Sequence, residues 1–275
     1  MTDFHPGRYA DSAVTWISHH FGSALDAVAK ALMQLVDGIQ WLLTKPPSLV
    51  IVVCLTAAAL FVRRPGLALF TLASFLLVNF MGLWAATMQT LALVLVSAFM
   101  AAAVGIPLGI FCSINRVLNL ATRPVLDFMQ TLPAYVYLIP AVFFFGVGVV
   151  PAMLATAVFA IPPAVRLTEL GIRQVDVEMI EAGNAFGAHP WKILWEIQLP
   201  LALPSIMTGV NQVIMLSLSM VVISGLVGAG GLGSIVVAAV TQLDIAAGFE
   251  SGLSVVVLAV FLDRLTAAFG DRRVG

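Results

Sequence analysis

Apolar residues fall in long blocks along this chain, and the polar interruptions between them define its elements. Near the start the apolar positions recur at helical spacing, as Val14, Ile17, Phe21, Leu25, Val28, Leu32 and Leu35, with Asp26, Lys30 and Asp37 between them. That period predicts an amphipathic helix within residues 1–48, too polar to cross a bilayer. Such a helix either lies along a membrane surface or packs on its own subunit. Lys45-Pro46-Pro47 ends it. Seven largely apolar blocks follow, at 49–62, 67–82, 88–114, 125–149, 151–166, 201–227 and 249–266. They read as seven transmembrane helices, although the first is short of the roughly twenty residues a span needs. Arg63-Arg64-Pro65-Gly66 separates the first two, and Arg116 to Arg123 reads as a short polar loop. Gly105 and Gly109 stand at GxxxG spacing around Pro107, which predicts close helix contact.

The longest polar interruption in the apolar two-thirds is Glu181 to Pro200, EAGNAFGAHPWKILWEIQLP. Apolar blocks flank it on both sides, so it lies at a membrane face. It reads as helix, turn, helix. Gly187 is suited to the left-handed residue that ends a helix, and Pro190 to the first turn of the next. Trp191, Leu194 and Trp195 then share one face, Lys192 and Glu196 another.

Composition fixes the class. The chain is 61% hydrophobic and 10% charged over 275 residues, with mean hydropathy +1.05. Soluble domains carry about a quarter charged residues, so this is an all-α polytopic membrane protein. The net charge of −1 gives no reason to expect a nucleic-acid partner. No basic stretch followed by an apolar core and cleavage site opens the chain, so no removable signal peptide is expected.

The basic residues set the orientation. With the amino terminus outside, Arg63, Arg64, Arg116, Arg123, Arg166, Arg173, Lys192, Arg264, Arg272 and Arg273 lie inside, ten of thirteen. Only Arg8, Lys30 and Lys45 lie outside. The positive-inside rule selects this arrangement. It puts the 181–200 loop and the carboxy terminus in the cytoplasm.

Candidate chemistry is sparse. No residue set suggests covalent or acid–base catalysis. Cys54 and Cys112 sit in apolar runs and read as small buried hydrophobes. His19 and His20 are adjacent, so their side chains diverge on a helix and make a poor metal pair. Gly228, Gly230 and Gly233 match GxGxxG, but they follow an apolar block rather than a strand, so a bend is expected there, not a dinucleotide site. Asp127, Arg166, Asp263 and Arg264 fall near the cytoplasmic ends of the blocks. Ion-coupled transporters place ionisable groups inside the bilayer, and their lack here points to an energy source on another chain.

Glu181-Ala182-Gly183, then Gly187, then Ile197, Leu199 and Pro200 resembles the EAA loop of binding-protein-dependent ABC importer permeases. In that family's pattern Gly183 is a second alanine. Further stretches are similar to the permeases of glycine betaine/proline and choline importers: Met129 to Pro140, Ile161 to Thr168, Gly209 to Gln212, Leu218 to Ile223, Gly230 to Gly233 and Leu262 to Thr266. The similarity covers about residues 85–270. It implies a type I ABC importer permease fold, with a permease core at 85–275 and peripheral transmembrane helices at 49–84. It implies that the 176–200 loop is the coupling helix docking into an ATPase subunit. It also implies a second copy of this chain, an extracytoplasmic binding protein, and a place in the bacterial inner membrane. No cofactor is expected on this chain; ATP and Mg belong to the ATPase.

A quaternary ammonium ion has no N–H to donate, and aromatic faces stabilise it. Gln130, Thr131, Tyr135, Asn211, Gln212 and Ser219 form the candidate pathway; Tyr135 and Tyr137 cannot both face it, because positions i and i+2 diverge on a helix, and Tyr135, two residues after Pro133, is preferred. Two other readings stay open: the same machine with another cargo such as an amino acid, and a secondary transporter or channel.

Overall fold

The structure, a computed structural model, describes residues 6–61 and 65–271. All regular structure among the described residues is helical: α1 (Pro6–Thr44), α2 (Ser48–Phe61), α3 (Pro65–Phe80), α4 (Trp84–Ile114), α5 (Arg116–Thr131), α6 (Leu138–Phe145), α7 (Val149–Arg173), α8 (Val177–Ala185), α9 (Pro190–Ile193), α10 (Leu199–Ile223), α11 (Gly231–Gln242) and α12 (Ile245–Asp271). Short 3-10 turns precede α6 and follow α10, and a π-helical turn, Leu194–Gln198, joins α9 to α10.

Four stretches are long and apolar enough to cross a membrane: α4, α7, the continuous helix Pro190–Val227, and Ile245–Ala268 within α12. The number rises to six if two bent pairs, His19–Phe61 and Arg116–Phe145, each count as one span. α3 has 16 residues, about 24 Å at 1.5 Å per residue, against a hydrocarbon core of about 30 Å. The expectation of seven spans is therefore corrected to four full spans with short or bent companions.

The block at 125–149 is the clearest departure. It is not one span: α5 and the Ala134–Phe145 segment meet at 109°. Pro133 is the cause. It disfavours helix in the residue before it, and Leu132 is extended at φ −71°, ψ 131°. The expected polar loop at Arg116–Arg123 is instead the first half of α5. Asn115 starts that helix by accepting the Val117 and Leu118 N–H groups at 2.9 and 3.1 Å.

α7 is the centre of the bundle. Of its most apolar 18-residue window 67% is buried, against 50% for α4 and 39% and 33% for the two later spans. Small residues let its neighbours approach. A Cβ on Gly109 of α4 would lie 2.6 Å from the Val165 carbonyl oxygen, and one on Gly171 of α7 2.6 Å from Ser205 Cβ on α10. Gly105 lies as tightly against Ala164. The GxxxG pair thus packs on α7, and α7 in turn packs on α10.

α1 packs on its own subunit through Leu32, Val36, Ile39 and Leu43. Trp16, Phe21, Val28 and Trp41 stay exposed, so it also shows an apolar face away from the bundle. One core joins Val36, Ile51, Phe75 and Val94, so the three stretches of the sequence share it. Cys112 is buried, but Cys54 is exposed on α2, a correction to its reading as a buried hydrophobe.

Candidate functional site

Gly187 ends α8 at φ +71°. Its N–H bonds the Asn184 carbonyl at 2.9 Å and the Ala188 N–H bonds the Gly183 carbonyl at 3.1 Å, the double closure that a left-handed glycine permits. His189 then caps α9, its Nδ1 accepting the Trp191 N–H at 3.3 Å, with Pro190 in the first turn. Gly183 is buried: a Cβ there would meet Ile197 Cδ1 at 3.0 Å and Ile193 Cγ1 at 3.2 Å. The small residue of the Glu-Ala-Gly triplet and the isoleucine fourteen positions on are therefore in contact. Glu181 and Ala182 face outward, Leu199 packs with Ile172, Leu194, Ala202 and Ile206, and Pro200 is exposed in the first turn of α10.

Two details differ from expectation. Leu194 does not share a face with the tryptophans: it is buried with Ile193, while Trp191 and Trp195 are about half exposed and stack edge to face at 5.8 Å. Phe186, not singled out from sequence, is 92% exposed beside Gly187. Its signal was an aromatic residue directly before the turn glycine of a polar loop.

Ion pairs brace the same end of the bundle. Glu169 of α7, with a side chain only 10% exposed, pairs with Arg123 of α5 at 3.3 Å and with Arg173 at 3.1 Å. Arg173 also donates to the Cys112 carbonyl at the end of α4, at 3.0 Å. Arg166 pairs with Asp127. Arg63, Arg64, Arg272 and Arg273, which entered the charge count, lie outside the described residues.

The pathway candidates divide. Gln212 and Ser219 are exposed on α10, in line with Thr208 at helical spacing. Gln130 and Thr131 are exposed at the end of α5, and Tyr135 is exposed in the 3-10 turn that packs on α10. Tyr137 is buried, and its hydroxyl donates to the Met129 carbonyl. Asn211 is set apart from the others. Its amide donates to Asp263 Oδ1 at 2.9 Å and accepts from Thr266 Oγ1 at 2.6 Å, tying α10 to α12.

At the far end, Gly228, Gly230 and Gly231 all have positive φ. The first free N–H groups of α11 are satisfied by α4: Gly231 N–H donates to Gln89 Oε1 at 2.9 Å and Leu232 N–H to Thr90 Oγ1 at 2.8 Å. The GxGxxG match is thus a bend between two helices.

This arrangement agrees with known proteins. Residues 105–274 match the profile of the family described as "Binding-protein-dependent transport system inner membrane component". The chain is 47% identical over 256 residues to the glycine betaine transport system permease protein OpuAB of Bacillus subtilis, covering 93% of this chain and 91% of the relative. It is 41% identical to the glycine betaine/proline betaine permease ProW of Escherichia coli, covering 95% of this chain and 74% of the relative. A chain of the MetNI methionine ABC transporter in an inward-facing conformation superposes with a TM-score of 0.58 at 26% identity, over 66% of this chain and 90% of that one. This chain belongs to the family of binding-protein-dependent transport system inner membrane components.

Proposed function

We propose that this chain forms the translocation pathway of an ATP-driven importer for quaternary ammonium compounds such as glycine betaine. The kinship with glycine betaine permeases along nearly the whole chain carries the reading. The 181–200 loop, closed at Gly187 and capped by His189, supports coupling to separate ATPase subunits, which bind ATP and Mg. The stripe of Thr208, Gln212 and Ser219 is polar, neutral and exposed on a single subunit. A second copy covering it would enclose a pathway suited to a cation without N–H groups. Reconstitution with the ATPase and the binding protein tests the reading. Glycine betaine uptake should require ATP and both partners, and uptake by the permease alone would instead indicate a secondary transporter.

The distribution of basic residues supports an external amino terminus. α4 ends and α7 ends at the loop side, joined by Arg173, while α10 starts there. Gly231 is a poor reporter of the far side, because a Cβ there would lie 2.5 Å from Thr90 Oγ1. Asn184→Cys and Thr241→Cys, both at exposed positions, serve better in a background lacking Cys54 and Cys112. An impermeant thiol reagent should label position 241 in intact cells and position 184 only after permeabilisation. The reverse pattern rejects the orientation.

Tyr135 is the aromatic candidate on the route. One cation–π contact contributes about 1 kcal/mol, so Tyr135→Ala should slow uptake several-fold while Tyr135→Phe keeps most of it. Equal loss in both variants would assign the effect to the hydroxyl.

A further inference from the structure

Between α9 and the ends of α4 and α7 lies a cavity of about 250 Å³. Ile114, Ile172, Pro190 and Leu194 give it an apolar lining, and Trp191 and Arg173 also face it. Arg173 is the only charged residue in the lining. Glu181 and Phe186, the outward groups of the loop, take no part in it. Drug-sized ligands occupy roughly 300–1,000 Å³, so this space suits a compact solute.

The chemistry of the lining selects the solute. Arg173 is anchored but not saturated. Its Nε pairs with Glu169 at 3.1 Å and its Nη2 donates to the Cys112 carbonyl at 3.0 Å, which leaves the Nη1 amino group of the guanidinium for an anion. Glu169 is shared with Arg123, so two guanidinium groups stand against one carboxylate and the cluster is net positive. Half-exposed Trp191 is braced edge to face by Trp195 and offers an indole to a cation. A bare cation gains from the indole but is repelled by the positive cluster. A bare anion gains from Arg173 and leaves the indole and the apolar lining unused. A solute that carries both charges uses both ends. No carboxylate lines the cavity, so an ammonium with N–H groups finds no charged acceptor there. A methylated ammonium needs none and packs on the four apolar side chains.

We propose that this cavity is a binding site for a compact zwitterion that joins a methylated ammonium to an anionic group, with Trp191 holding the cation and Arg173 the anion. Glycine betaine in the cytoplasm is the free solute of that chemistry, and a phosphocholine headgroup in the adjoining leaflet is its lipid form. Taking the solute to be the imported compound rests on the importer reading above. Trp191 belongs to the loop and Arg173 to α7 at the centre of the bundle, so a ligand held by both ties one to the other. Imported solute that accumulates inside then slows its own entry at the loop, without competing for the pathway.

The test titrates the assembled permease and ATPase, in nanodiscs of phosphatidylethanolamine and phosphatidylglycerol and without the binding protein, with glycine betaine, choline and acetate by calorimetry. Glycine betaine should bind, and choline and acetate should bind roughly tenfold more weakly or not at all. Trp191→Leu should weaken glycine betaine roughly tenfold, the loss of one partly desolvated cation–π contact, and Trp191→Phe should restore most of it. Arg173→Lys keeps the charge and loses the planar fork, so it should weaken glycine betaine and leave choline unchanged. In proteoliposomes with the binding protein outside, lumenal glycine betaine should inhibit wild-type uptake. Trp191→Leu should require a roughly tenfold higher lumenal concentration for half-inhibition of its own rate. Phosphatidylcholine in the discs separates the two sources: unchanged affinity assigns the site to the free solute, and weakened affinity places the headgroup in the same cavity. No binding of glycine betaine in discs without phosphatidylcholine, wild-type affinity in Trp191→Leu, or equally tight binding of choline or acetate overturns the proposal. A wild type that binds glycine betaine but imports none leaves the site standing and rejects the importer reading instead.

Discussion

Uptake is expected to fall to background in Glu181→Lys and Gly187→Val while the subunit still reaches the membrane. Gly187 sits at φ +71° with open space around it, so the valine effect is purely conformational. A left-handed backbone costs an L-residue about 1–2 kcal/mol, and a β-branched one more. The strain would be relieved by opening the closure through Asn184 and Gly183, and the loop would lose the angle at which it meets the ATPase. Glu181→Lys leaves the backbone intact and reverses the charge on the outward face of α8. Phe186→Ala completes the set: it keeps the turn and removes the most exposed large side chain of the loop. It should weaken ATPase association at least tenfold, as removal of an aromatic anchor does. The measurement pairs ATP-dependent uptake in proteoliposomes with co-purification of the ATPase. Normal transport in all three variants would remove the loop from the coupling role.

Gly109→Leu and Gly171→Leu should have the second large effect, on assembly rather than coupling. Each inserts a side chain where a Cβ already falls 2.6 Å from a neighbour, the Val165 carbonyl in one case and Ser205 in the other. Overpacking of this kind costs about 1–3 kcal/mol when the site can shift. Here α7 is held on both faces, so relief on one side compresses the other. The expected result is loss of folded protein in a detergent thermal-stability assay and on the membrane. Gly252→Ala is the control, because nothing lies within 4 Å of a Cβ there. Stability equal to wild type at positions 109 and 171 would show that the seam adjusts.

The parts that could be read from sequence were those governed by one local residue. Gly187 and Pro190 announce a helix end and a helix start, and Gly105 and Gly109 announce close packing, because backbone rules act within a few positions. Pro133 carries the same kind of signal, but it stands inside an apolar block long enough for a span, and hydropathy does not mark the break. The faces of α9 differ from the sequence expectation for another reason. The 3.6-residue period does not hold across Leu194–Gln198, where the helix is π-type. Asn211 read as a pathway residue because a polar side chain on a span does not reveal which neighbour it meets. Its partners Asp263 and Thr266 are more than fifty positions away. Gln89 and Thr90 were invisible for the same reason.

The 38-residue helix from Pro190 to Val227 is about 57 Å long, and it joins the loop to the far bend without a break in the helix. Mechanically it is a shaft. Its π turn admits one extra residue, and each residue corresponds to about 100° of rotation. The turn therefore works as an indexing joint, fixing the rotational offset between the Trp191–Trp195 edge at one end and the Thr208–Gln212–Ser219 row along the shaft. Chain length between Leu194 and Gln198 is then a phase setting rather than a spacer: deleting one residue would leave a continuous helix with the tryptophan edge and the polar row out of register.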